Sequence, residues 1–422
     1  MSEPTSCPHG ARNTTGAVAL DPSASHKVET DPPVYSGNLY SRDAIRDPYA
    51  RYRDLRDLGP AVWSSKHRCF VVARYQEVHD ILADDTTFRS TGGVAHTRLA
   101  QWSGSSTTIV SDDERHAHRR KLVTALLTPR ALRGRQGEIE QLADDLVSSA
   151  VDRGDIDGVD DLALPMPLQV VPDLVGWPQY GRGKLLDWGI AGFDYAGPRN
   201  ALFLRSLPGV ISMRMYVGQV VRRRDVQDGS AASILLAALD DGQITKGECA
   251  SLLIDLLAPS IDTTASIIAA GLQLFADRPD QWKLLREDRT LMPSAVREIV
   301  RLASPLRAFT RRVNSDTIVS GVRMKAGSRV LVIYASANRD DRFWSNPDDF
   351  DITRDSTAHV GFGYGVHSCA GQGLGRMETT AILSALLDRV ERIDRRGPGE
   401  RATNNVIFRW EKLPLRLAPL RG

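Results

Sequence analysis

The run Phe362-Gly363-Tyr364-Gly365-Val366-His367-Ser368-Cys369-Ala370-Gly371 sets one cysteine between a glycine-rich turn and an apolar-periodic segment. Gly363 and Gly365 suit a tight hairpin whose backbone must approach something flat and large, because glycine lacks a Cβ and tolerates positive φ. Downstream, Leu374, Met377, Ile382, Leu383, Leu386 and Leu387 recur at helical spacing, which predicts a helix over 372–390. Cys369 then lies where backbone N–H groups have no intrahelical partner and point at its sulfur. Such a place favours a thiolate.

A thiolate with donors aimed at it, beside a glycine turn, is what an axial haem ligand needs. The run matches the pattern Phe-Gly-x-Gly-x-His-x-Cys-x-Gly at all its fixed positions, and so it resembles the signature of the cytochrome P-450 superfamily, the haem-thiolate monooxygenases. A buried structural cysteine beside a turn is the plainer alternative, but a match this long is far more specific than a lone glycine motif. Zinc is weaker still: His367 and Cys369 offer two ligands and no Cys-x-x-Cys pair completes a tetrahedron.

The resemblance runs from about residue 40 to the C-terminus. It implies a mainly α-helical prism with small β-sheets and one catalytic domain over 37–422, while residues 1–36, rich in Ser, Thr, Pro, Gly and Asp, read as a flexible leader. The resemblance also implies haem b as cofactor and reductive activation of dioxygen. A formal net charge of +2 gives no field that would attract nucleic acid or an acidic membrane. Cys7, Cys69, Cys249 and Cys369 have no paired spacing, which fits a reducing compartment. The Met-Ser-Glu-Pro start has no signal-peptide pattern, and no uninterrupted apolar run is long enough to anchor in a membrane. A cytoplasmic monomer is expected.

Residues 50–58 and 75–83 read as helices, with a small hairpin between them over 61–63 and 69–72. Residues 91–108 are full of Gly, Ser and Thr and read as a long loop. From 112 to about 285 the chain reads as mostly helical, with 248–275 as one long helix and another helix after Ser294. Short strands are expected around 317–319 and 330–333.

Three constellations support the resemblance. Glu298 and Arg301 share a helix face among apolar neighbours; with Arg354 they match the family's buried structural trio. His116, Arg120, Arg312 and His359 match positions that bind haem propionates in bacterial relatives, the register of Arg312 against Arg311 being open. With Cys369, Phe362, Gly363 and Gly371 they form the expected cofactor site, Cys369 being the iron ligand. Asp262-Thr263 matches the acid–alcohol pair of the long helix, Thr263 holding oxygen and Asp262 relaying protons. Pro259-Ser260 departs from the small residues usual there and is expected to kink the helix. Gly375, where Ala is common, is a second departure.

No flavin or iron–sulfur pattern is present, so electrons are expected from a ferredoxin or flavodoxin with its NAD(P)H-dependent reductase, docking near Arg119 and Lys121. A peroxide-driven peroxygenase and a haem-binding sensor are the rival readings, and retention of Asp262 and Thr263 argues against both. Segments over 165–200, 336–340 and 404–414 look most similar to bacterial demethylases of para-alkoxybenzoates. Those relatives hold the carboxylate with an Arg and two Ser; the matching positions here are Ser103, Ser106 and Asp255. The loss of the Arg and the gain of an acid imply a neutral methoxyarene or methoxyphenol, or another small apolar metabolite. Phe193, Ala258, Pro259, Leu306 and Ala308 are expected to line the pocket. Asp255 is read either as a pocket acceptor or as a residue that faces solvent or caps a neighbouring segment.

Overall fold

The computed structural model describes residues 30–420. Most of the expected leader lies outside them, but its end does not: Val34–Tyr35 pairs in parallel with Trp63–Ser64. Ordered sheet therefore begins before residue 37. The mixed six-stranded sheet runs Val34–Tyr35, Val62–Ser64, Cys69–Val72, Arg329–Val332, Phe309–Val313, Phe88–Arg89. Cys69–Val72 is buried throughout, and its apolar run leaves no exposed face, as suits a strand covered on both sides. A three-stranded sheet joins Val390–Arg395, Pro414–Pro419 and Asp155–Asp157.

The rest is helical. The main core is built from the inward faces of Gln136–Arg153, Pro165–Val175, Ala201–Arg223, Met292–Ala303 and Gln372–Arg389, packed around the long apolar segment from Lys246. Met292–Ala303 shows why: Ala295, Val296, Ile299, Val300 and Leu302 are all buried, the broad apolar stripe of a core helix. The expected helices over 50–58 and 75–83 are Tyr49–Leu58 and Tyr75–Ala83. Within the expected loop over 91–108 lies a short helix, Arg98–Ser103, whose first turn is capped by the Thr97 hydroxyl accepting from Ala100 N.

The long helix is broken rather than kinked. Lys246–Leu257 opens on a capping box between Thr245 and Glu248. The helix stops at Leu257, turns through 258–261 and restarts as Asp262–Asp277. Pro259 has no N–H to give. Two hydroxyls take up freed carbonyls: Ser260 Oγ donates to Leu256 O at 2.7 Å and Thr263 Oγ1 to Pro259 O at 2.6 Å. By length and composition Lys246–Asp277 could cross a membrane, but 67% of its most apolar window is buried inside the fold.

Candidate active site

The cysteine loop is a tight, glycine-dependent turn. Gly363 and Gly365 have φ of 70° and 68°, in the left-handed region that side chains resist. A Cβ on Gly365 would come within 2.6 Å of Leu82 O. Cys369 N donates to Phe362 O at 2.7 Å, closing the loop. The helix Gln372–Arg389 starts next. Burial raises the Cys369 thiol above its usual range, while the amides of Gly371 and Gln372 and the guanidiniums of Arg120 and Arg376 pull it down. Arg376 also lies 5.0 Å from the Phe362 ring centroid.

A cluster of basic groups faces this loop, though its membership differs from the expected one. His116 and His367 lie with ring centroids 4.1 Å apart. His116 Nδ1 is 3.2 Å from Thr108 O, and Nε2 is 3.2 Å from Val366 O. His367 Nε2 is 3.2 Å from Asp112 Oδ1. Arg120 is half-buried and feels the charge of Cys369. Arg312 is not part of the cluster. Pairing of Phe309–Val313 with Arg329–Val332 sets Arg312 opposite Arg329 and points it outward, so the buried neighbour is Arg311, whose charge lowers the pKa of His367. His359 is not part of it either. Its Nδ1 accepts from Gly361 N at 3.1 Å, and burial with the charges of Arg376, Arg297 and Arg301 lowers its pKa to about 3. Asp112, unforeseen from sequence, also accepts from Ser90 N and Thr91 N.

The residues present fit a haem. A left-handed glycine turn clears space beside a sulfur that two helix amides address. Histidines and arginines gather beyond it, suited to paired carboxylates. A cofactor with a soft-ligand metal and two acid groups matches that donor set.

Asp262 is buried and 1% exposed. Neither carboxyl oxygen makes a hydrogen bond; Arg409 Nε stands 3.3 Å from Oδ1. Burial lifts its pKa to about 6, against the lowering effect of Arg409. Although it opens a helix, it does not cap it. The Glu298 trio is present and fully buried at its centre. Arg301 binds both carboxyl oxygens of Glu298 at 2.7 Å and bonds Asn338 O and Pro347 O at 2.7 Å. Arg354 Nε reaches Glu298 at 3.2 Å, and Ser356 supplies a fourth contact.

Phe193 packs with Val406 and Ile407, flanked by Ala196, Leu306 and Phe309. Ala308 packs instead against the cluster of Leu39, Tyr52 and Leu55. Ala258 abuts the helix Leu185–Ala196, its carbonyl 2.9 Å from where a Gly189 Cβ would be. Pro259 is exposed on the turn, and Ser106 is half-buried. Ser103 Oγ lies 3.1 Å from Tyr195 Oη. Asp255 has the capping role rather than a free acceptor's: its carboxylate takes Thr108 N, and burial raises its pKa to about 7. Arg119 reinforces the same loop through Ser105 O and Thr107 O and pairs with Glu248 at 2.7 Å. It is buried, so it cannot serve as surface charge for a docking protein. A clasp closes the other side. Asn405 exchanges amide bonds with Asn200 at 2.7 and 3.2 Å. It also bonds Asp194 through N–H to Oδ1 at 2.7 Å and through Nδ2 to the carbonyl at 2.9 Å.

Known proteins resemble this chain in sequence and fold. The family description Cytochrome P-450 matches residues 218–394. CYP199A2 from Rhodopseudomonas palustris is 35% identical over 384 residues, covering 90% of this chain and 93% of that protein. A steroid C26-monooxygenase from Rhodococcus jostii is 31% identical, covering 88% and 80%. The crystal structure of CYP109E1 from Bacillus megaterium in complex with testosterone superposes with a TM-score of 0.80 at 25% identity, covering 89% of this chain and 99% of that one. Relatives this similar over nearly the full length leave one conclusion: the chain belongs to the cytochrome P-450 family, the haem b-dependent monooxygenases.

Proposed function

We propose that the chain demethylates a small neutral methoxyarene or methoxyphenol, with Cys369 as the thiolate ligand of its haem. The observation that carries the site is the seat of Cys369, where a glycine turn and two helix amides converge on one buried sulfur. The haem, when bound, supplies dioxygen activation and insertion of one oxygen atom. The chain's residues do the rest. Gly371 and Gln372 stabilise negative charge on sulfur. Arg120 and Arg311 neutralise the propionates, which burial would otherwise make costly, and His116 and His367 stand beside them. Thr263 holds a hydroxyl beside the broken helix, and Asp262 moves protons to it.

Electrons come from a ferredoxin or flavodoxin with its NAD(P)H-dependent reductase. The docking face includes Arg115, His118, Lys121, Arg130 and Arg133, all exposed. The helix Pro129–Arg133 lies against the start of the cysteine helix, Leu132 standing 3.1 Å from where a Gly373 Cβ would be. Phe193, Val406, Ile407, Leu306 and Phe309 give an apolar lining, and Asp255, fixed to the loop, contributes no cation for a carboxylate.

Spectral titration with guaiacol and para-methoxybenzoate tests the substrate reading. Guaiacol is expected to shift the haem spin state and to release formaldehyde with NADH and a redox partner. Tight para-methoxybenzoate binding, with no response to neutral methoxyarenes, would overturn it. Product formation from peroxide alone at the same rate would favour the peroxygenase reading.

A further inference from the structure

Asp262 is buried, 1% exposed, and charged groups reach it from other elements. The helix Leu185–Ala196 brings Asp194, a buried carboxyl whose pKa burial raises to about 6 and which repels Asp262. Arg307 lies farther off, acts on Asp194, and is spent on the carbonyls of Asn404, Val406 and Ile45. Against Asp262 stands Arg409, the residue before the strand Trp410–Lys412. Its guanidinium is shared: Nε is 3.3 Å from Asp262, and Nη2 is 2.8 Å from Glu411. Exposure rises along this row, with side chains 1%, 12% and 48% exposed at Asp262, Arg409 and Glu411. The inner contact is poorly aligned, since neither Asp262 oxygen nor Arg409 Nε completes a hydrogen bond. The outer contact is the shorter of the two.

We propose that Arg409 is the positioning residue of Asp262, holding its carboxylate ionised and joining it to solvent by way of Glu411. The idea rests on the reading of Asp262 as the acid that serves Thr263. Arg409 itself stays protonated, since a guanidinium does not lose its proton in proteins. When its head moves onto Glu411, the Asp262 carboxylate takes a proton from water on that side. It then gives the proton up toward Thr263 and becomes an anion again, and Arg409 returns to it. One proton enters and one leaves per cycle, with no change in the charge of the row. The strand Trp410–Lys412, remote in sequence from the acid–alcohol pair, thereby becomes part of the proton path.

The test uses the haem-loaded enzyme with its redox partner and guaiacol as probe, together with melting curves taken without substrate. In Arg409→Gln, haem content and guaiacol binding are expected to hold while coupled turnover falls about tenfold and NADH is diverted to peroxide. Loss of the counter-charge raises the Asp262 pKa, so the acid limb of the pH profile moves to higher pH. In Glu411→Gln Arg409 has one acceptor fewer, and the limb moves to lower pH. Opposite shifts are not what a merely structural role gives. Arg409→Lys is expected to restore most of the coupling. In the melts, the Tm lost by Arg409→Gln at pH 8 should return when Asp262→Asn is added. An Arg409→Gln enzyme with an unmoved acid limb and full coupling, alongside a slow Asp262→Asn enzyme, would overturn this role and leave the acid reading standing. An Asp262→Asn enzyme as fast as the parent would overturn both.

Discussion

At Cys369 two effects oppose each other on one atom. Burial favours the neutral thiol, while two amides and two guanidiniums favour the thiolate. A bound metal cation decides between them, since a coordinating thiol loses its proton outright. Cys369→Ala is therefore expected to abolish the red-shifted Soret band of the reduced carbonyl complex, and a variant that keeps that band would remove the ligand assignment. Thr263 is held by the Pro259 carbonyl at 2.6 Å. Thr263→Ala is expected to keep haem and guaiacol binding but to release more peroxide per NADH, a ratio measured by oxygen-electrode and peroxide assays. The cysteine loop and the trio were legible because their spacing within a helix or loop fixes their neighbours. Arg311 was not. In a strand a slip of one residue exchanges the two faces, and only the pairing with Arg329–Val332 settles which arginine points inward. His367 stands inside the signature itself, but spacing alone does not say where a chain heads on either side of two left-handed glycines, so sequence does not separate it from His359.

Among the elements, the long helix departs most from its expectation. Apolar periodicity continues across Pro259, so sequence pattern reads a single rod, but a missing N–H and a crowded carbonyl end it. The short helix Arg98–Ser103 was hidden for the opposite reason: its Gly- and Ser-rich surroundings carry no apolar period, and a cap at Thr97 starts it. Gly375 makes an element-level prediction. A Cβ there would lie 3.5 Å from Thr264 Oγ1, ordinary contact distance. Gly375→Ala is expected to stabilise the cysteine helix by about 1 kcal/mol, read as an upward shift in chemical-denaturation midpoint. Glu298 is the counter-case, since Arg301 beside it is fully buried. Glu298→Ala leaves that charge without its partner and is expected to cost about 3–5 kcal/mol, seen as lost haem content and a lower melting temperature.

Over the whole molecule the sequence conveyed the architecture but not its buried electrostatics, because burial is a property of the assembled fold. Glu378 shows the gap. It is fully buried, neither carboxyl oxygen has a partner, and desolvation raises its pKa to about 8. The folded state therefore holds its proton above the pH at which the unfolded chain releases it. The resulting loss of stability is absent below the unfolded pKa and grows as pH rises toward 8. Glu378→Gln is expected to raise the melting temperature at pH 7–8 and to leave it unchanged near pH 4. An equal gain at both would remove the ionisation argument. The Asn405 clasp has a consequence for biosynthesis. Its partners Asn200 and Asp194 are separated from it by 205 and 211 residues. Chains emerge from the ribosome at about 5–20 residues per second, so the link between the helices Leu185–Ala196 and Ala201–Arg223 waits at least about ten seconds for its fastener. The helical bundle can assemble early, but the wall formed by Phe193, Val406 and Ile407 closes late. During that interval the apolar cluster around Phe193 lacks two of its members, Val406 and Ile407.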